Sequence, residues 1–136
     1  HLRIARHCEN ALAIAKYLKA HEEVAWVHYS GLEGDEYYEL GQKYLPKGSC
    51  GVLAFGIKGG RERSIKFMDQ LKLINIATHV ADSRSCLLHP ASHTHRQLTD
   101  EQLREAGVAP DLIRLSVGIE NVEDLIADIE QALKAM

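Results

Sequence analysis

A strict alternation of branched apolar residues with smaller or polar ones runs from residue 112 to residue 119. Successive side chains of a β-strand point to opposite faces, so this pattern predicts a strand with one apolar face. That face comprises Ile113, Leu115, Val117 and Ile119, and the opposite face comprises Leu112, Arg114, Ser116 and Gly118. Because one face is continuously apolar, the chain must place a helix or a second sheet against it.

Patterns typical of helices and strands alternate along the rest of the chain. Helical patterns cover residues 1–18, 36–44, 61–71, 100–105 and 122–134, and strand patterns cover residues 24–29, 50–57, 74–80 and 85–89. Thr99 with Gln102 three residues later predicts a capping box, and Asn121 predicts the N-cap of the last helix. We therefore expect a single two-layer α/β (α+β) domain over residues 1–136, with a small mixed or antiparallel sheet of four to five strands covered by helices.

Composition excludes several classes of partner. Sixteen basic and nineteen acidic side chains give a net charge of −3, so the basic patch of a nucleic-acid binder is missing. The longest apolar runs are far shorter than the roughly 20 residues of a membrane-spanning helix. Three cysteines without CxxC spacing are typical of a reducing compartment. We expect a cytoplasmic protein that binds neither nucleic acid nor membrane.

The first residues suggest a longer parent protein. The helical pattern begins at His1 with no capping residue before it. Such a helix leaves its first N–H groups without a designed partner. We therefore expect the chain to be a piece of something longer.

Four histidines form the densest cluster of candidate ligands. His79 precedes the H-x3-H-x-H spacing of His89, His93 and His95. Neutral imidazoles bind zinc or iron, so an independent metal-binding α/β module is one hypothesis. Pro90 disturbs both helical and strand geometry here, so these side chains cannot converge through one regular element. Histidines hydrogen-bonded within the fold are the alternative.

Arg114 is the only charged residue of the alternating strand. Its planar guanidinium can hold a carboxylate through two parallel hydrogen bonds. The carboxylate belongs either to a ligand or to the chain itself, with Asp82 and Asp111 as candidates for an internal ion pair.

Several segments carry a resemblance to a known family. They are HCENALAIAKYL at 7–18, YLPKGSCGVLAFGIKGG at 44–60, THVADSRSCLLHPASHTHRQLTDEQL at 78–103, DLIRLSVGIE at 111–120 and VEDLIADIEQAL at 122–133. Together they resemble the C-terminal domain of the Cys/Met-metabolism enzymes that use pyridoxal phosphate, which have fold type I. Within that family they are most similar to the O-acetylhomoserine sulfhydrylases.

The resemblance implies that residues 1–136 form the small C-terminal domain of a larger enzyme. The large domain would carry the Schiff-base lysine and most of the cofactor site, so the full-length enzyme would bind pyridoxal phosphate and this piece none. The parent enzyme would replace the acetate of O-acetylhomoserine with sulfide to give homocysteine, and would assemble as a homo-oligomer, a tetramer. The piece alone is expected to be inactive.

The resemblance also assigns a substrate site. In the family, the arginine at the position of Arg114 holds the substrate α-carboxylate. The residue whose main chain assists it corresponds to His79, with Thr78 beside it, and a further threonine corresponds to Thr94. His79 departs from the serine or asparagine usual there. No catalytic, cofactor-binding or metal-binding residue is expected in this chain.

Overall fold

The computed structural model describes all residues, 1–136. Its helices are α1 (Leu2–Ala20), α2 (Tyr38–Tyr44), α3 (Gly60–Gln70), α4 (Asp100–Glu105) and α5 (Val122–Ala135). Its strands are β1 (Val24–His28), β2 (Val52–Ile57), β3 (Asn75–Ile76), β4 (Cys86–Leu88) and β5 (Leu112–Ser116), and a 3-10 turn covers Pro90–Ser92. None of the helices is both long enough and apolar enough to cross a membrane.

The five strands form one mixed sheet in the order β1-β2-β5-β4-β3. The pairs β1/β2, β2/β5 and β5/β4 are antiparallel, and only β3 runs parallel to its neighbour β4. This confirms the predicted fold class. The alternating strand β5 lies at the centre of the sheet, so both of its edges are paired.

Helices cover one face of the sheet. α1 packs on β1 and β2, α3 packs on β2 and β5, and α5 contacts both of these helices. The shared core is a cluster of 21 buried residues that includes Ile14 of α1, Phe67 of α3, Ile129 of α5, and Ile113 and Leu115 of β5. The apolar face of β5 is therefore turned toward the helices, as the alternation predicts.

Two predictions about strands are wrong in extent. The pattern at 74–80 predicts a long strand, but β3 covers only Asn75–Ile76, because the main chain of residues 78–81 bonds to side chains of β5 instead of pairing with β4. β5 ends at Ser116, so Ile119 lies beyond the strand and is 38% exposed instead of joining the core.

The helix caps form as predicted. Thr99 Oγ1 accepts from the main-chain N–H of Gln102, and the Gln102 side chain accepts from the main-chain N–H of Thr99. Asn121 Oδ1 accepts from the main-chain N–H of Glu123 at 2.8 Å. Each cap satisfies a donor that the first helical turn leaves without a partner.

Buried polar side chains of α1 fix the segment that follows β5. His7 Nδ1 lies 2.6 Å from the carbonyl oxygen of Val117, and Asn10 donates to the carbonyl oxygens of Gly118 and Glu120. Both side chains are almost fully buried. Their contacts satisfy the carbonyl oxygens of the segment that follows the central strand.

Candidate functional site

Arg114 lies at the middle of the sheet, on the face turned away from the helices. It pairs with Ala54 of β2 on one side and with Leu88 of β4 on the other. Its neighbours Ile113 and Leu115 point into the core, so the Arg114 side chain points to the opposite face. The strand pattern predicted this face correctly.

The guanidinium is held by two main-chain carbonyl groups. Its Nη2 donates to the carbonyl oxygen of Thr78 at 2.9 Å and to that of His79 at 3.3 Å. Its Nε is buried and has no hydrogen-bond partner, and its Nη1 donates to no protein atom. An unpaired buried donor is rare in folded proteins and calls for an explanation. Because Nε is buried, Nη1 is the free donor that an acceptor from outside the chain can reach.

No carboxylate of the chain neutralises Arg114. The two candidates for an internal ion pair are engaged elsewhere. Asp111 Oδ2 accepts from Trp26 Nε1 at 3.0 Å, and Asp82 Oδ1 lies 3.6 Å from Arg84 Nε. The structure therefore lacks the internal ion pair that the sequence left open.

Cys86 is a neighbour of this site that the sequence analysis missed. Its thiol donates to the carbonyl oxygen of His79 at 3.2 Å, so this carbonyl accepts from both Cys86 and Arg114. Burial raises the pKa of the Cys86 thiol, and the positive charge of Arg114 offsets only part of that increase. The thiol is therefore a neutral donor at neutral pH. Its place in the strand pattern at 85–89 was the available signal, but the position of that strand beside Arg114 was not predictable from the sequence.

The residues assigned by resemblance are only partly brought together. Thr78 and His79 contact Arg114 through their main chains, while the His79 side chain is exposed. Thr94 is exposed and its Oγ1 lies 2.9 Å from His95 Nδ1. No hydrogen bond joins Thr94 to Arg114, Thr78 or His79.

The histidine cluster is tied into the fold by hydrogen bonds. His89 is fully buried, with Nε2 at 2.8 Å from the carbonyl oxygen of Pro110 and Nδ1 at 2.9 Å from Ser92 Oγ. Because a carbonyl only accepts, the proton of the neutral ring lies on Nε2, and both ring nitrogens are occupied. Burial lowers the pKa of His89. No group of three or more His, Cys, Asp or Glu side chains is arranged to hold a metal ion.

A shallow groove of about 270 Å³ borders Arg114 on the β2 side. Its lining includes Arg114, Ala54, His28 and Asp35. Small side chains on β2 leave this part of the sheet uncovered, so a small molecule or another protein segment can approach the strand of Arg114 from this face.

The family of the chain is decided by its sequence. A family described as Cys/Met metabolism PLP-dependent enzyme matches residues 1–134. The chain belongs to this family. It is 49% identical over 133 residues to a homocysteine synthase of Schizosaccharomyces pombe, covering 98% of this chain and 31% of the relative. It is 45% identical over 134 residues to an O-acetyl-L-homoserine sulfhydrylase of Leptospira meyeri, covering 98% and 30%.

A solved structure agrees with this membership. A crystal structure described as an O-acetylhomoserine (thiol)-lyase of Campylobacter jejuni superposes with a TM-score of 0.89 at 39% identity. It carries a pyridoxyl-lysine phosphate. The match covers 98% of this chain and 32% of that one. The chain thus spans about a third of the length of the relatives it matches.

The lysines of this chain do not fit the attachment of pyridoxal phosphate, the cofactor of the family. All eight are exposed: Lys16, Lys19, Lys43, Lys47, Lys58, Lys66, Lys72 and Lys134. An amine that forms a Schiff base at neutral pH usually has its pKa lowered in a desolvated pocket, which an exposed lysine lacks. None of the lysines of this chain therefore has the surroundings that Schiff-base formation needs.

Proposed function

We propose that residues 1–136 are the C-terminal, substrate-recognition domain of a pyridoxal-phosphate-dependent O-acetylhomoserine sulfhydrylase. The parent enzyme is a transferase of methionine and cysteine biosynthesis (transsulfuration). It replaces the acetate of O-acetylhomoserine with sulfide and releases homocysteine. The names of the relatives support this reaction, and the exposed lysines support a role for the chain in binding rather than in covalent chemistry.

Arg114 is the residue that carries the proposal. Its guanidinium is oriented by two carbonyl groups, is not neutralised by any carboxylate of the chain, and keeps an accessible free donor on Nη1. A carboxylate is the acceptor that matches this fork in both charge and geometry. Arg114 would therefore hold the α-carboxylate of the amino-acid substrate.

The segment beside Arg114 completes the proposed carboxylate site. The main-chain N–H groups of Thr78, His79 and Val80 donate to no protein acceptor. These amides would assist Arg114, and Thr94, assigned by the family resemblance, would be a further contact. Pyridoxal phosphate, when bound, supplies an electron sink for deprotonation at the substrate α-carbon. Arg114 would fix the orientation of the substrate, and a contact of this kind raises the reaction rate by holding the reacting groups in the productive geometry.

The partners of the domain follow from the same proposal. Its covalent partner would be the large N-terminal domain that carries the cofactor, and the full-length enzyme would form a homo-oligomer, a tetramer, in the cytoplasm. The relatives, each about three times as long as this chain, support a larger parent protein.

Steady-state kinetics of the full-length enzyme test the role of Arg114. A lost charge-assisted carboxylate pair is worth about 2–4 kcal/mol, so Arg114→Ala should raise KM for the acyl-homoserine roughly 30- to 1000-fold. Arg114→Lys keeps the charge but loses the fork, and should raise KM about tenfold. The absorbance of the bound cofactor should not change in either variant.

A matched control is Arg104→Ala on α4, since Arg104 is exposed and forms no ion pair or side-chain hydrogen bond. It should keep the parent KM. An Arg114→Ala enzyme whose KM stays within twofold of the parent value would refute the assignment.

A further inference from the structure

The orientation of Arg114 depends on a short segment that has no regular secondary structure. Residues 78–81 follow β3 and lie outside every helix and strand. The last sheet contact before this segment is the N–H of Ala77, which donates to the carbonyl oxygen of Leu87 at 3.0 Å. Whatever fixes residues 78–81 therefore also fixes the carbonyl groups that hold the guanidinium.

Ser116 provides the only protein acceptor for a main-chain N–H of this segment. Its Oγ accepts from the N–H of Ala81 at 3.1 Å, whereas the N–H groups of residues 78–80 remain unpaired. Ser116 is 1% exposed. It lies two residues after Arg114 on β5, so both side chains project from the same face of the strand. One strand thus holds the segment at two points.

Ala81 is held in a strained conformation at this contact. Its φ is 61°, and it is the only residue other than glycine with a positive φ. A side chain with a Cβ disfavours this left-handed region, so surrounding contacts must maintain it. Ala81 is itself exposed, and the hydrogen bond to Ser116 is the main-chain contact that holds it.

We propose that Ser116 is a positioning residue for carboxylate recognition, acting through the strained main chain of Ala81 on the carbonyl groups that orient Arg114. The inference rests on the proposed function. Without the Ser116 hydroxyl, Ala81 relaxes toward negative φ and residues 78–80 move with it. The guanidinium then loses the two acceptors that hold its Nη2, and the substrate carboxylate is bound less tightly.

The first test is Ser116→Ala in the full-length enzyme, measured as KM against kcat. Loss of one hydrogen bond of ordinary strength predicts a KM for the amino-acid substrate that is about five- to tenfold higher. We expect kcat to fall no more than about twofold, because the reacting atoms are not touched. The control is Ser64→Ala on α3, an equally buried serine whose Oγ donates to the carbonyl oxygens of Gly60 and Asp111. It should lower stability and keep KM.

Substitutions at Ala81 separate positioning from general stability. Proline fixes φ near −65° and has no N–H, so Ala81→Pro should reproduce the increase in KM even if Ser116→Ala fails to fold. Glycine adopts positive φ without strain, so Ala81→Gly combined with Ser116→Ala should recover at least half of the loss on a logarithmic scale.

The outcomes distinguish this inference from the proposed function. A normal KM in Ser116→Ala or in Ala81→Pro, an equal KM increase in Ser64→Ala, or no recovery with glycine would overturn the role of Ser116. If Arg114→Ala still raises KM in any of these cases, the proposed function stands without it. A normal KM in Arg114→Ala would remove both.

Discussion

Asp128 of α5 is the most heavily engaged carboxylate in the fold, and its removal should cost a large share of the stability. It is 6% exposed and accepts three main-chain N–H groups. Oδ1 accepts from Lys72 at 2.9 Å, and Oδ2 accepts from Leu73 at 3.0 Å and from Ile74 at 2.9 Å. These contacts hold the segment between α3 and β3 against the last helix.

The expected loss of stability depends on whether water can replace the Asp128 carboxylate at each of the three N–H donors. Lys72 and Leu73 are exposed, so water can replace part of their contact in Asp128→Ala, whereas Ile74 is buried and would be left unpaired. At about 1–3 kcal/mol for each buried unpaired donor, and less for each exposed one, the free energy of unfolding should fall by about 3 kcal/mol. This corresponds to a Tm lower by about 10 °C for a domain of this size.

Asp128→Asn probes the charge separately from the shape. One oxygen remains as an acceptor, but the amide NH₂ then faces main-chain N–H donors, so a loss of about 2 kcal/mol is expected. The assay is urea unfolding of the chain followed by circular dichroism. Asp69→Ala on α3 is the control, since Asp69 is exposed and forms no ion pair, and it should change stability by less than about 0.5 kcal/mol. An Asp128→Ala protein as stable as this control would refute the reasoning.

Three further measurements test other features. Burial lowers the pKa of His89, so on acidification the unfolded chain binds a proton at this residue before the folded chain does. The free energy of unfolding should therefore fall as the pH drops below about 6.5. In urea titrations, His89→Gln should make this decrease smaller. Exposed Cys50 should react fast with a disulfide reagent, while Cys8 and Cys86, which are buried and have raised thiol pKa values, should react only after unfolding. Asn121→Ala should lower stability by about 1 kcal/mol in thermal unfolding, because it removes the cap of α5.

The elements with a strong local pattern were predictable. The alternation of β5, the apolar stripe of α5 and the capping residue Thr99 all depend on residues close together in the sequence. α4 and α5 begin where the sequence indicates, and β5 begins there but ends at Ser116, three residues early. The prediction of a strand over residues 74–80 was wrong in extent because the length of β3 depends on residues that are distant in the sequence. Of residues 74–80, only Asn75 and Ile76 pair with β4, and the side chains that bond to the main chain of residues 78–81 are those of Arg114 and Ser116, more than 30 residues later.

The candidate site was predictable in its central residue but not in its support. Period-two alternation and a lone charge single out Arg114 and its face. The same alternation places Ser116 on that face, so this signal was present but carried no indication of a partner. The contact between Cys86 and the carbonyl of His79 depends on strand order, which hydrophobic periodicity does not encode.

Arg114 is the one arginine that is neither exposed nor ion-paired, which is why an external acceptor is expected there. Of the other seven, Arg3, Arg96 and Arg104 are exposed, and four form ion pairs with carboxylates of the chain: Arg6, Arg61, Arg63 and Arg84. These side chains are free to turn toward an acid within reach. Arg114 is fixed over the sheet by two carbonyl groups, which are uncharged, so its Nη2 is satisfied while its positive charge is not balanced. A partly buried cation held in this way pays the cost of desolvation without a counter-charge, and a carboxylate brought by a substrate would remove that cost. We therefore expect this arrangement to lower the stability of the free domain and to favour a ligand that carries an acid group.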